Sequence, residues 1–102
     1  MNNMENKYLS ELKKLVLDFL KNEKVKIFIF GSRARGDNQY NSDVDIGLIP
    51  RGNIDTIKIS LLKEKVENSN IPYKVQIVNF NQVSEDFKNE ALKDILIWKD
   101  SN

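Results

Sequence analysis

The chain has neither cysteine nor histidine in its 102 residues. Their absence excludes disulfides, zinc sites of the Cys/His type, thiol nucleophiles and any Ser-His-Asp relay in one step. An excess of charge is missing too: 16 basic residues against 15 acidic ones leave a net charge of +1. With no basic block, no nucleic-acid partner is expected. No apolar run exceeds the four residues of Ile27–Phe30, far short of the roughly 20 needed to span a bilayer. No membrane partner is expected, and the polar start, Met1 to Lys7, lacks the apolar stretch of a signal peptide. The expectation is a soluble, cytoplasmic protein folded as one domain over residues 1–102, with chain enough for one modest core.

What is present alternates between two periods. Tyr8, Leu9, Leu12, Leu15, Val16, Phe19 and Leu20 recur at helical spacing and predict an amphipathic packing helix. Val25 to Phe30 predicts a buried strand that stops at Gly31. After a polar connection that includes Asp37, Asp43 to Ile49 predicts a second strand, with Val44, Ile46 and Leu48 on one face. Pro50-Arg51-Gly52 ends it. Asn53 is the expected cap of a helix running to about Asn68, with Ile54, Ile57, Leu61 and Leu62 facing inward. A third strand is expected over Tyr73–Val78. Ser84 is placed to cap a last helix with Val83, Phe87, Ala91 and Leu92 as its buried stripe, and Asp94 to Trp98 to close as a short strand. The fold class is α/β, a mixed sheet of about four strands packed with helices.

The chemistry concentrates between Phe30 and Asp45. Gly31 lacks a Cβ, so backbone there can approach a ligand closely, and Ser32 adds a hydroxyl donor. If Ser32 to Arg35 begin a helix, its free N–H groups and positive dipole end face the same spot. Two of the three arginines, Arg33 and Arg35, lie in this turn. A guanidinium grips phosphate with a planar fork that lysine lacks. Either arginine alone is compatible with a solvated place on a short helix; at least one of the pair is expected to contact a triphosphate. Asp43 and Asp45 then leave the same face of the next strand. Carboxylates so close repel unless a cation lies between them, and oxygen-only ligands favour Mg²⁺ or Mn²⁺.

The pattern G-S-x-A-x-G followed by S-D-x-D is carried by Gly31, Ser32, Ala34, Gly36, Ser42, Asp43 and Asp45. It resembles the minimal nucleotidyltransferases of the DNA polymerase β superfamily, and the likeness extends over most of the chain, roughly Leu9 to Trp98. The resemblance implies the nucleotidyltransferase fold. It also implies that Asp43 and Asp45 act as metal ligands and catalytic carboxylates, with Gly31, Ser32, Arg33, Arg35 and Ser42 around the nucleotide, ATP or another NTP. One position departs from it: the strand that carries a third carboxylate in competent members offers Gln76 here, and Asn79 is neutral as well. Glutamine lends a carbonyl oxygen but cannot ionise or serve as a general base. Glu85 or Asp86 is the available substitute.

Minimal members commonly act beside a small helical HEPN-domain protein, the nucleotidyltransferase being the antitoxin that attaches AMP to the toxin. The resemblance therefore implies a HEPN partner and transfer of a nucleoside monophosphate to a hydroxyl on it. A second reading is a binding module that keeps nucleotide or metal affinity and blocks its partner by contact alone. Self-association is left open.

Overall fold

Leu12 and Val16, four residues apart and fully buried, set the inward face of the first helix, α1 (Asn3–Phe19), and Leu20 just beyond it continues the buried row. The structure, a computed structural model, describes residues 3–36 and 43–100. Strand β1 (Val25–Phe30) has the bounds its apolar run predicts, and every residue but Lys26 is buried. A single helical turn, α2 (Ser32–Arg35), follows Gly31 and closes on Gly36 in the left-handed region. Strand β2 (Val44–Pro50) puts Val44, Ile46 and Leu48 fully inside.

Helix α3 (Thr56–Glu67) starts later than expected. Its cap is Asp55, whose carboxylate accepts the Ile57 N–H at 2.9 Å, and not Asn53. From that start the inward stripe is Ile59, Leu62 and Val66, while Ile57 and Leu61, expected inside, are 66% and 51% exposed. Ile54, ahead of the helix, still packs on the core.

Strand β3 (Val75–Asn79) leads into a 3-10 turn (Phe80–Gln82) that buries Phe80. Helix α4 (Glu85–Ala91) is capped by Ser84, whose hydroxyl accepts the Phe87 N–H at 3.1 Å. Val83, Ala91 and Leu92 pack as expected, but Phe87 is 43% exposed. Strand β4 (Leu96–Lys99) closes the fold, starting two residues and ending one residue after the expected Asp94–Trp98. Its Lys99 Nζ donates to the Leu20 and Glu23 carbonyls at 3.2 and 2.8 Å, tying the strand to the end of α1.

The sheet order is β3-β2-β1-β4, with β1 antiparallel to β2 and β4, and β2 parallel to β3. The parallel pair needs a crossover, which α3 supplies. Even-numbered β2 residues and Val25, Ile27 and Ile29 of β1 share the face under α1 and α3, where the larger core lies. On the opposite face Phe28, Phe30 and Phe80 form a second core beneath α4. Phe28 and Phe80 meet edge to face at 5.0 Å, and Phe30 and Phe80 at 5.1 Å. Gly47 makes this possible, since a Cβ there would run into the Phe28 ring and come within 2.9 Å of Phe80. Aromatic packing fills only part of this face, and the end nearest Asp45 stays open.

Candidate functional site

Strand register assembles the site. Asp45 lies directly between Phe30 at the end of β1 and Gln76 on β3. Asp43 immediately precedes β2, and the Val44 N–H donates to the Lys74 carbonyl at 2.9 Å, so the extended path begins at this pair of strands. With period-two alternation, Asp43, Asp45 and Gln76 share the open face. Asp43 and Gln76 are exposed and Asp45 is half-buried. Burial pushes the Asp45 carboxyl above its ordinary range, the Asp43 carboxylate adds to the rise, and the Arg35 guanidinium partly offsets it.

Gly31 stands against Asp45. Its backbone, at φ +79° and ψ −154°, occupies a region essentially restricted to glycine, and a Cβ would run into the Asp45 carboxylate. The absent side chain thus brings the Gly-Ser turn and the β2 carboxylate into contact. The Gly31 carbonyl accepts the Ala34 and Arg35 N–H groups, each at 3.1 Å, which winds the one turn of α2 with half-buried Ser32 at its start.

The two arginines separate. Arg35 is exposed, and its charge acts on Asp45. Arg33 is only 9% exposed; its Nε donates to the Asp43 carbonyl at 3.3 Å and its guanidinium lies 4.7 Å above the Tyr73 ring. One side chain therefore joins the turn to the backbone of the first carboxylate and to the entry of β3. Tyr73 was expected only as the start of a strand. Its contact with Arg33 spans forty residues, and no local pattern announces it. Arg33→Lys keeps the charge but loses the planar stack and the Nε donor. It is expected to lower stability by about 1–3 kcal/mol in urea unfolding; an unchanged midpoint would show that these contacts carry nothing.

Asp43, Asp45 and Gln76 offer two carboxylates and a neutral amide oxygen. That oxygen-only set fits a hard divalent cation completed by water and substrate phosphates, the usual way magnesium is held. Burial first, and then repulsion by Asp43, raises the Asp45 carboxyl, and a cation between the two carboxylates relieves that repulsion. Among the described residues no three acidic side chains form a metal-binding group. Glu85 and Asp86 lie exposed in the first turn of α4 and, among the described residues, form no such group with Asp43 and Asp45. Ser42 and Asp37 lie outside the described residues.

A family model described as polymerase beta, nucleotidyltransferase, matches residues 13–102. The chain belongs to the polymerase β nucleotidyltransferase family. A curated relative, "Probable protein adenylyltransferase MntA" of Haemophilus influenzae, is 31% identical over 70% of this chain. The matched stretch spans 61% of that relative's own length. Among solved structures, a toxin–antitoxin with AMP-PNP superposes with a TM-score of 0.68 at 22% identity, covering 88% of this chain and 74% of that one. A tri-AMPylated Shewanella oneidensis HEPN toxin in complex with MNT antitoxin gives 0.64 at 18% identity, with 89% and 71% covered. At these identities the structural likenesses are of fold. They agree with the mixed four-stranded sheet described above.

Proposed function

We propose that this protein is a metal-dependent nucleotidyltransferase that passes a nucleoside monophosphate, AMP from ATP, to a hydroxyl on a partner protein. In this reading it is the antitoxin of a pair whose toxin is a small helical HEPN protein. The observation that carries the proposal is the placement of the Gly31 turn against Asp45, beside Asp43, on the open end of the sheet. The names of the relatives, an adenylyltransferase and an AMPylated HEPN toxin with its MNT antitoxin, support the acceptor and the partner.

Asp43 and Asp45, with the Gln76 amide oxygen beside them, would hold Mg²⁺ or Mn²⁺. Bound there, the cation neutralises phosphate charge and favours ionisation of the acceptor hydroxyl. Gly31 seats the turn directly against Asp45, Ser32 offers a hydroxyl donor, and Arg35 brings a forked cation to the same end of the sheet. Arg33 acts by positioning, holding Asp43 and the turn in one place. In the transfer, the acceptor oxygen bonds to the α-phosphorus as the bond to the β-phosphate bridge breaks; pyrophosphate leaves, and the hydroxyl proton is released. Gln76 cannot take that proton.

The same glutamine favours a second reading, a nucleotide-binding module that neutralises its partner by contact. Label transfer from α-labelled ATP to a HEPN partner, with Mg²⁺ or Mn²⁺, separates the two. Wild type is expected to label the partner, and Asp43→Asn/Asp45→Asn to leave it unlabelled. Gln76→Asp, restoring an ionisable group beside Asp45, is expected to speed transfer by about a hundredfold or more, the usual range for a general base. Labelling by Gln76→Asp and not by wild type would favour the contact-only reading; labelling by neither would defeat the transferase.

A further inference from the structure

A recess of about 230 Å³ opens beside the Gly31 turn, with Phe30, Gly31, Arg35, Phe87 and Ala91 in its lining and the Glu90–Lys93 ion pair and Asp94 completing it. Gly31 and Arg35 belong to the turn beside Asp45, so the recess is continuous with the candidate site. Its apolar surface comes from Phe30, Phe87 and Ala91. Phe87 is 43% exposed although the period of α4 places it on the inward stripe. Its ring is held edge to face with Phe30 at 6.0 Å and tilted against Phe80 at 5.7 Å, so one side is fixed by packing while the rest stays open. The volume falls below the roughly 300–1,000 Å³ of sites that enclose a drug-sized molecule. It suits a flat fragment, with the remainder of the ligand lying outside along the turn.

We propose that this recess receives the base of the nucleotide, stacked on Phe87 and floored by Ala91, while the phosphates lie at Gly31 to Arg35. The inference rests on the nucleotidyltransferase reading above and extends it to a subsite built by α4. An aromatic ring immobilised on one side and bare on the other is a stacking platform for any base. Glu90, Lys93 and Asp94 add polar groups to the lining, the kind of group that fixes a ligand's orientation in a mainly apolar site.

The test compares two probes, Mg²⁺–ATP and Mg²⁺–tripolyphosphate, the second keeping the phosphate chain and lacking base and sugar. Calorimetric titration of wild type should show the ATP complex to be the tighter. Ala91→Phe fills the recess without touching Asp43 or Asp45, and Phe87→Ala removes the platform. Each should cut ATP affinity by about tenfold or more, on the scale of one base–aromatic stack, and leave tripolyphosphate affinity unchanged. Because Phe87 also packs on Phe30 and Phe80, Ala91→Phe guards against a simple folding defect, which would weaken both probes together. An ATP advantage that survives in a folded Ala91→Phe protein overturns the base assignment and leaves the phosphate and cation site standing. Failure of wild type to bind either probe overturns both.

Discussion

Asp45→Asn is expected to abolish Mg²⁺-dependent nucleotide binding and, in metal-free buffer near neutral pH, to melt at a higher temperature than wild type. The loss should exceed about a hundredfold, since even an outer-shell partner of a metal ligand is worth roughly 10–100-fold in affinity. The gain follows from the carboxyl itself. Burial and the Asp43 carboxylate raise Asp45 above its ordinary value, more than Arg35 lowers it. The folded protein therefore binds this proton more readily than the unfolded chain, and the ionised carboxylate opposes folding at any pH above its folded-state value. Wild type should gain stability as pH falls through that value towards the ordinary aspartate range. The Asn variant, with nothing to titrate there, should lack this gain. Added Mg²⁺ should raise the melting temperature of wild type and leave the variant unmoved. Equal melting of the two proteins in metal-free buffer at neutral pH would refute the argument.

Gly31→Ala is expected to have the second largest effect, through two separate penalties. The first is backbone strain: φ +79° with ψ −154° is open essentially to glycine alone, and other residues held in such regions cost about 1–3 kcal/mol. The second is the methyl group, which would occupy the place of the Asp45 carboxylate and force it away from the turn. Out of a total stability of about 5–15 kcal/mol for a domain of this kind, the strain alone is a large fraction. Gly36→Ala is the control. Gly36 also has positive φ, at +82°, but a Cβ there meets nothing within 4 Å among the described residues. It should cost only the left-handed strain of about 1–2 kcal/mol and keep nucleotide binding. Urea unfolding paired with Mg²⁺–ATP titration reads both penalties, and equal loss of binding in the two variants would show that contact with Asp45 is irrelevant.

The parts legible in the sequence were those governed by local period. Val25–Phe30 and the alternation Val44, Ile46, Leu48 marked their strands because burial on a pleated face leaves a two-residue repeat. The inward face of α3 was misread because apolar residues at 54, 57, 59, 61, 62 and 66 supply two overlapping stripes. The choice between them turns on which of Asn53 and Asp55 caps the helix, and Asp55 does. Phe80 and Gly47 escaped notice for another reason. Their importance lies in the fit of one ring into the space left by one missing Cβ across strands, which no spacing along the chain records. At the site, the carboxylates and the Gly-Ser turn announced themselves by residue type. The burial of Arg33 against Tyr73 did not, because it depends on where β3 enters the sheet.

The anchoring of α2 by Arg33 bears on how fast a ligand can find its seat. Four residues of helix have no stability of their own, since nucleation is unfavourable and elongation too brief to repay it. A loose turn would have to freeze each time a ligand arrived, with the loss of backbone entropy subtracted from affinity and the wait added to the on-rate. Here that freezing is completed when the chain folds, by the Arg33 bond to the Asp43 carbonyl and its stack on Tyr73. The encounter is left to diffusion and charge.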